Sequence, residues 1–313
     1  MAVDTQEATV ADEAYLRPLP PLAQRKKTWA PDLLAGVFWR GLTNLGTHRK
    51  VLQLLKHPLL AETARTNPRF AYKYLTHDYL VRDLTTGQRA ASFVHHYRRL
   101  TETLPASTLR QCLREFIRLH EIPAEGNRFT ITMGLSRDFD KEGEFSLNLH
   151  VDSEVVFLLS FTIVPGATVN SSSPEVLLIS RLQGMKGSYH LIHLATKSLH
   201  NVAPDAVLLA ALQGIALAFG ISEIAAVSAS RQSSCTSDSA AAFQQAYDLF
   251  FEGLDIERSS DGFYRTPVPI EPKPLAHVKK GHKIRTKEKR AFKLAVQTAC
   301  CEFLLREMPR LSD

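Results

Sequence analysis

The chain has 313 residues, of which 44% are hydrophobic and 22% charged; this balance is typical of a globular protein with a sizeable core, arranged as one large domain with appendages or as two domains. No run of about 18 uncharged apolar residues occurs, so we predict no transmembrane helix, and the acidic start "MAVDTQEATVADEAYL" argues against a secretory signal. The four cysteines have no metal-like spacing and favour a reducing, cytoplasmic setting.

The N-terminal part of the chain is predicted to be a tail followed by helices. Residues 1–30 are polar and contain the proline-rich "RPLPPL". Residues 31–125 have a helical pattern with prolines at the breaks. This pattern continues into "PASTLRQCLREFIRLHEIP", where apolar residues recur at helical spacing: Leu109, Cys112, Leu113, Phe116 and Ile117. We therefore predict a helical N-terminal region.

Apolar and polar residues alternate after Gly126, which predicts a sheet. Strands are expected at 128–135, 144–151, 154–164 and 175–181. Two helices, a strand, a helix and a short strand should follow, at about 188–200, 204–219, 223–230, 241–254 and 262–268. The predicted fold class is α+β, a mainly antiparallel sheet with a βαβ-like second half, in a domain at 126–270. Residues 271–313 are predicted as a basic segment and a C-terminal helix at about 286–308.

A loop with two glycines joins the fourth predicted strand to the next helix. Its residues are candidates for binding the phosphates of a cofactor: Arg181, Gln183, Gly184, Met185, Lys186, Gly187 and Ser188. The first N–H groups of a helix have no internal partner and the helix dipole is positive there, so such a loop can hold an anion. The spacing is neither a Walker loop nor GxGxxG. An anion-binding loop and a simple structural turn therefore remain as two interpretations.

The helix after this loop carries a basic, titratable face. At 100° per residue, four side chains fall within an arc of about 80°: His190, His193, Lys197 and His200. They are candidates for binding an anionic substrate, and a solvated polar face is the alternative. A metal site is disfavoured, because a lysine lies among the imidazoles, no carboxylate joins them, and HxxH lacks the i,i+4 spacing of zinc helices.

Several segments together resemble the VirK/YbjX family of bacterial proteins, long catalogued as a domain of unknown function. They are "LTTGQRAASFVHHYRRL", "GEFSLNLHVDSEVVFLLSFTI", "LLISRLQGMKGSYHLIHLATKSLHNVAPDAVLLAAL", and "AYDLFFEGL" with "GFYRTPVP". The most specific motifs are the LQG loop, TKxLHxxxP and YDxF, the last containing Tyr247, Asp248 and Phe250. The likeness covers about residues 35–290 and includes the basic C-terminal segment. The chain departs from the family at Asn201, where glycine is frequent, and at Phe250–Phe251, where an aromatic residue, often tryptophan, is usual.

The VirK/YbjX resemblance implies a connection with virulence, with remodelling of the envelope and with resistance to cationic antimicrobial peptides. No settled reaction comes with it. The order of predicted elements is also similar to that of the GNAT acyltransferase superfamily, which implies an acyl-CoA or other acyl-thioester cofactor, carried on a small molecule or an acyl carrier. The sequence RxxGxxG is one residue longer than the GNAT loop, and an extra helix at 204–219 precedes the next strand.

The GNAT resemblance implies two catalytic candidates. Tyr247 lies on the helix after the fifth predicted strand, where these enzymes place a tyrosine that acts as the acid. Glu175 opens the fourth strand and is the nearest candidate base by position. Each has a structural alternative, since Tyr247 fits a core aromatic and Glu175 a solvated residue.

A non-enzymatic function is the alternative to acyl transfer. Residues 279–293 hold eight Lys and Arg against the single acid Glu288. Such a basic segment suits an anionic membrane or an acidic partner, and would place the protein at the cytoplasmic side of the inner membrane. Nucleic acid is disfavoured as a partner, because the run has no interleaved aromatics and no known nucleic-acid-binding fold.

Overall fold

The structure is a computed structural model of the chain, and it describes residues 45–124, 126–137 and 141–309. The predicted polar tail and the first part of the predicted helical region, up to residue 44, lie outside the described residues. Between residues 45 and 114, the structure describes four α-helices: α1 (Leu45–Leu54), α2 (Pro58–Thr66), α3 (Thr86–Thr103) and α4 (Ala106–Arg114).

Helix α3 attaches this helical part to the sheet. It begins with a capping box, in which Thr85 accepts from the N–H of Gln88 and the Gln88 side chain accepts from the N–H of Thr85. Its apolar residues recur at helical spacing, so one face is buried, and that face packs on the fourth strand of the sheet. The buried apolar residues of this face include Ala90, Phe93, Tyr97 and Leu100.

A seven-stranded sheet forms the centre of the molecule, and its strands lie side by side in chain order. They are β1 (Phe116–Ile122), β2 (Phe129–Leu135), β3 (Phe145–Val151), β4 (Glu154–Pro165), β5 (Glu175–Gly184), β6 (Glu223–Val227) and β7 (Phe263–Pro267). All neighbours are antiparallel except β5 and β6, which are parallel. The predicted α+β class with a mainly antiparallel sheet is therefore confirmed, whereas the GNAT-like arrangement stays a prediction.

The sheet begins earlier in the chain than the sequence pattern indicates. Helix α4 ends at Arg114, and β1 pairs with β2 from Phe116 onward. The prediction of one helix through Phe116 and Ile117 is therefore wrong. Ile117, Leu119 and Ile122 are buried, and a bulge lies between Arg118 and His120, so the strand alternation is broken.

The second half of the sheet is connected by helices. Between β5 and β6 lie α5 (Tyr189–Ser198) and α6 (Pro204–Phe219). Between β6 and β7 lies α7, a helical segment with a π-helical turn in its middle, made of Ala240–Phe243, Gln244–Asp248 and Leu249–Glu252. Parallel neighbours such as β5 and β6 need a long crossover connection, and α5 and α6 provide it.

The C-terminal helix α8 (Lys283–Glu307) packs on α6 and β1. Gly214 of α6 makes the helix crossing close, because a Cβ there would overlap the carbonyl oxygen of Gln297. Val296, Cys300 and Leu304 are the buried residues of α8. The N-terminal helices, the sheet and α8 thus contribute to one hydrophobic core.

Candidate functional site

Strand β6 pairs with only the first half of β5, so the C-terminal half of β5 has one edge that β6 does not cover. The two strands pair only over 177–179 of β5, whereas β5 continues along β4 as far as Gly184. Met185 then donates its N–H to the carbonyl oxygen of Val156 on β4, at 2.9 Å. Because successive strand N–H groups point to opposite edges, those of Leu182 and Gly184 face the edge that β6 has left. This opening between β5 and β6 is the candidate site.

Two side chains enter the opening, Tyr247 from α7 and Gln232 from the segment after β6. The Tyr247 hydroxyl accepts hydrogen bonds from the N–H of Leu182 and from Nε2 of Gln232, both at 3.1 Å. Nε2 of Gln232 also donates to the carbonyl oxygen of Ser180, at 2.7 Å. Oε1 of Gln232 accepts from the N–H of Ser234, at 3.1 Å. The two backbone contacts determine the orientation of the amide, so Gln232 is a donor to Tyr247.

The Tyr247 hydroxyl therefore keeps its own proton. Both of its partners are N–H donors, and within the part of the chain that the structure describes that proton makes no hydrogen bond. Tyr247 is 2% exposed, and burial raises its pKa to about 12. The hydroxyl is neutral at pH 7 and can donate a hydrogen bond to an acceptor placed in the opening.

A buried ion pair lies beside this hydroxyl. Nη1 of Arg181 contacts Oε2 of Glu142, and Nη2 of Arg181 donates to Oε1 of Gln183, at 2.7 Å. The other carboxylate oxygen of Glu142 accepts from the hydroxyl of Ser234. Arg181 and Glu142 are almost fully buried, whereas Gln183 and Ser234 are exposed. The cluster thus leads from the protein surface to the buried Tyr247.

The length of β5 corrects one prediction. The sequence pattern ends the strand at Arg181 and places the residues after it in a loop. In the structure β5 continues to Gly184, and Arg181 is part of the strand. An arginine is compatible with a buried strand here because the carboxylate of Glu142 is its partner.

The loop itself is short, and helix packing or backbone conformation explains the presence of each of its two glycines. A Cβ on Gly184 would lie 2.8 Å from Cδ1 of Ile192, so glycine lets α5 approach the sheet. Gly187 has a φ of +89°, a left-handed conformation that favours glycine. Ser188 makes no side-chain cap, and its N–H donates to the carbonyl oxygen of Met185, at 3.1 Å. Lys186 is exposed on this turn.

The predicted basic face of α5 is on the protein surface. His190, His193 and Lys197 are exposed along the helix. His200 lies beyond the helix end, with a φ of +56°, and its ring is 5.2 Å from that of Phe292 on α8. Three of the four candidates therefore lie along the exposed side of α5, and His200, beyond its end, contacts the C-terminal helix.

Glu175 lies at the opposite end of β5 from Tyr247. It is seven residues before Leu182 in the strand, about 23 Å at 3.3 Å per residue. Its carboxylate accepts from Nε2 of His95, at 2.9 Å, and from Nε of Arg99, at 3.0 Å. The two residues proposed from the sequence as acid and base are thus not brought together.

Sequence reasoning missed three residues of the site: Glu142, Gln232 and Ser234. Gln232 and Ser234 belong to "SASRQSSCTS", whose composition favours a mobile polar loop, yet Gln232 is fully buried. The YDxF motif could have indicated where Gln232 lies, because two residues of the motif bind the segment that contains it. Oδ1 of Asp248 accepts from the N–H of Ala229, at 3.0 Å, while the adjacent Tyr247 binds Gln232. The motif therefore holds this segment against the sheet.

Two further observations concern metals and membranes. Within residues 45–124, 126–137 and 141–309, no group of three or more His, Cys, Asp or Glu side chains is placed to hold a metal ion. In the same ranges, no helix combines the length and apolar character needed to cross a bilayer.

Comparison with known proteins identifies a family. The model of the family described as "Protein of unknown function (DUF535)" matches residues 37–298, most of the chain. VirK/YbjX is the same family, so the resemblance seen in the sequence is confirmed at that level. No curated protein and no solved structure matches the chain.

Proposed function

The chain belongs to the DUF535 family, and we propose that it transfers an acyl group from a thioester donor bound along the open end of β5. The observation that carries this proposal is the Tyr247 hydroxyl, which accepts two hydrogen bonds and keeps its own proton. The hydroxyl lies where β5 and β6 separate, beside backbone groups that face the opening. In this proposal it donates to the carbonyl oxygen of the thioester.

The open strand edge suits a donor with an amide-containing arm. An extended ligand can add to a strand edge through main-chain hydrogen bonds. The N–H of Gly184 and the carbonyl of Leu182 face the opening, as expected from the alternation along β5. The arm of coenzyme A, and that of an acyl carrier protein, contains two amides in an extended chain. Such an arm would place its thioester toward the Tyr247 hydroxyl.

The chemistry requires little covalent help from the protein. A nucleophilic amine or hydroxyl of the acceptor attacks the thioester carbonyl, negative charge develops on oxygen, and the C–S bond then breaks to release a thiolate. A preorganised hydroxyl stabilises that oxyanion in a buried site. The proton that the acceptor loses goes to solvent, and the thiolate is protonated from solvent.

The pKa of Tyr247 decides between two roles for it. A value of about 12 lies above that of an ordinary thiol, about 8.5. Full proton transfer from the tyrosine to the leaving thiolate is therefore unfavourable. We assign Tyr247 the stabilisation of the oxyanion rather than the protonation of the thiolate, and we assign no step to Glu175, because it lies at the other end of the strand.

Donor binding and thiol release test this proposal. We expect acetyl-CoA or a longer acyl-CoA to bind in calorimetry, and to release free CoA with a panel of amines and alcohols. The change Tyr247→Phe should lower kcat about a hundredfold, as for removal of one oxyanion donor, with little change in KM.

Tyr264→Phe is the matched control. Tyr264 is also a buried tyrosine, but its hydroxyl donates to Glu252, at 3.2 Å. This variant should keep the wild-type kcat. If the wild-type protein binds neither coenzyme A nor any acyl-CoA, and carries no thioester on purification by mass spectrometry, the proposal is wrong.

A further inference from the structure

The C-terminal helix α8 consists of two halves that differ in burial and charge. In the second half, Val296, Cys300 and Leu304 are buried against α6 and β1. The first half has no buried residue before Val296. It contains one acid, Glu288, and six cations: Lys283, Arg285, Lys287, Lys289, Arg290 and Lys293.

The charges of this first half act against the stability of the helix. Cations at the N-terminus of a helix oppose its dipole, and no acid is present in the first turn of α8. Like charges also recur at i,i+4, as for Lys283 and Lys287. Among the ion pairs of the described residues, none involves these six side chains. An anionic partner would remove both unfavourable terms.

Two large aliphatic side chains protrude among the cations. Ile284 is 75% exposed and Leu294 is 59% exposed. They are ten residues apart, which places them within about 80° of each other around the helix, with Lys287 between them. A phosphate backbone gains nothing from such side chains, whereas a bilayer takes them into its interface while lysines reach the headgroups.

We propose that the first half of α8, Lys283–Lys293 with Leu294, docks on the surface of an anionic lipid bilayer. Lys283 and Lys287, on the same side of the helix as Ile284 and Leu294, contact headgroup phosphates, and Ile284 and Leu294 enter the interface. His200, one of the four predicted basic residues after the loop, contacts Phe292 of α8. The proposal is independent of acyl transfer, since it uses no residue of the opening between β5 and β6.

Vesicle sedimentation with the full chain tests this proposal. We expect binding to phosphatidylcholine vesicles that contain phosphatidylglycerol, no binding to phosphatidylcholine alone, and release by salt. Changing Lys283 and Lys287 to Gln should weaken binding about 25-fold, because each cation near an anionic surface contributes about fivefold.

The apolar residues have a matched control in the same helix. Ile284→Ser with Leu294→Ser should weaken vesicle binding by about tenfold or more, whereas Leu305→Ser, at a residue 53% exposed in the second half, should leave it unchanged. Far-ultraviolet circular dichroism and thermal melts establish that the variants are folded.

Three results would overturn the proposal. One is equal binding to both kinds of vesicle or to neither. A second is loss of binding with Leu305→Ser to the same extent as with the Ile284 and Leu294 changes. The third is tighter binding to duplex DNA or to RNA than to anionic vesicles, unaffected by the Ile284 and Leu294 changes, which would assign the surface to nucleic acid.

Discussion

Two glutamates that lie two residues apart, Glu142 and Glu144, enter two very different polar clusters. Gly143 between them has a φ of +136°, and a Cβ there would lie 2.7 Å from the Cβ of Ser160. Only glycine fits this turn, which sends one carboxylate toward the N-terminal helices and the other toward the end of β5. A comparison of the two clusters shows which buried polar groups hold the fold and which can meet a ligand.

The cluster around Glu144 is closed. One carboxylate oxygen accepts from the hydroxyl of Tyr79, and the other from the hydroxyl of Tyr97 and from Nζ of Lys73, which is 2.7 Å away. Glu144 is 0% exposed and Lys73 is 1% exposed. The partners come from the N-terminal helical part, so this cluster joins that part to the sheet.

The cluster around Glu142 is open at two points. It reaches the surface through Ser234 and Gln183, and it ends at Tyr247, whose proton has no acceptor in the described part of the chain. A buried cluster in which every partner of the carboxylate is itself buried acts as a structural link. One that retains a donor beside an open strand edge can bind another molecule.

The largest expected effect comes from breaking the closed cluster. Lys73→Met leaves Glu144 buried without its cation and should lower the free energy of unfolding by about 3–5 kcal/mol. Urea denaturation measures this loss. Lys141→Met is the control, because the Lys141–Asp78 pair is 32% and 27% exposed; its removal should lower stability by less than about 1 kcal/mol. Equal losses in the two variants would show that the buried Lys73–Glu144 pair stabilises the fold no more than the partly exposed Lys141–Asp78 pair.

Lowering the pH should also destabilise the protein, through buried histidines such as the one beside the Glu144 cluster. His96, beside the Glu144 cluster, is fully buried, and its Nδ1 accepts from the N–H of Ile163, at 3.1 Å. Burial, followed by the charge of Lys73, holds the pKa of His96 well below its usual value. Burial likewise lowers the pKa of His150 to about 4.

The sign of the pH dependence follows from these directions. Below about pH 6.5 the unfolded chain binds a proton at each of these histidines and the folded chain does not, so stability is complete above that pH and falls as the pH decreases. The loss approaches about 1.4 kcal/mol per pH unit for each histidine. His96→Gln should make urea midpoints less dependent on pH between about 6.5 and 4, whereas His190→Gln, at an exposed residue, should not. If the urea midpoint of the His96 variant depends on pH as steeply as that of the wild type, His96 does not cause the loss of stability in acid.

A smaller effect is expected from Tyr247→Phe in the open cluster. The change leaves the N–H of Leu182 and one N–H of Gln232 without their acceptor, which should lower stability by about 1–3 kcal/mol. Thermal melting measures this loss, and it should be smaller than that of Lys73→Met. If the two losses are equal, the open cluster contributes as much to the fold as the closed one.

The smallest effect is expected from Ser234→Ala. Ser234 is exposed, so water can replace its hydrogen bond to Glu142, and stability should change by less than about 1 kcal/mol. Ser180→Ala is the matched comparison, because the Ser180 hydroxyl is fully buried and donates to the carbonyl oxygen of Glu142, at 2.9 Å, so its loss should cost more. A loss of more than about 2 kcal/mol for Ser234→Ala would show that this end of the cluster is closed too.

Most elements were predictable because their patterns are local. The strand expected at 154–164 is observed at Glu154–Pro165, and the helix expected at 204–219 is observed at Pro204–Phe219. The failure at Phe116 has a local cause as well. The apolar spacing of α4 runs directly into Ile117, and the strand that follows is interrupted by a bulge, so neither period is complete.

The site was less predictable than the fold. Tyr247 was recognised through its place on the helix after the fifth predicted strand, and Arg181 through its place before the glycines. Gln232 and Glu142 carry no sequence signal of their own, because their role depends on contacts with residues 15 and 39 positions away.

The sequence by itself determined the α+β class, most of the strand and helix positions, the family and the basic character of the C-terminal segment, because all of these depend on periodicity, composition or motif order. Only the tertiary structure decided that Glu142 and Glu144 enter separate clusters, that Glu175 lies far from Tyr247, and that Tyr247 retains its proton. The physical reason is that hydrogen-bond satisfaction and burial depend on which distant segments meet, and no local pattern contains that information.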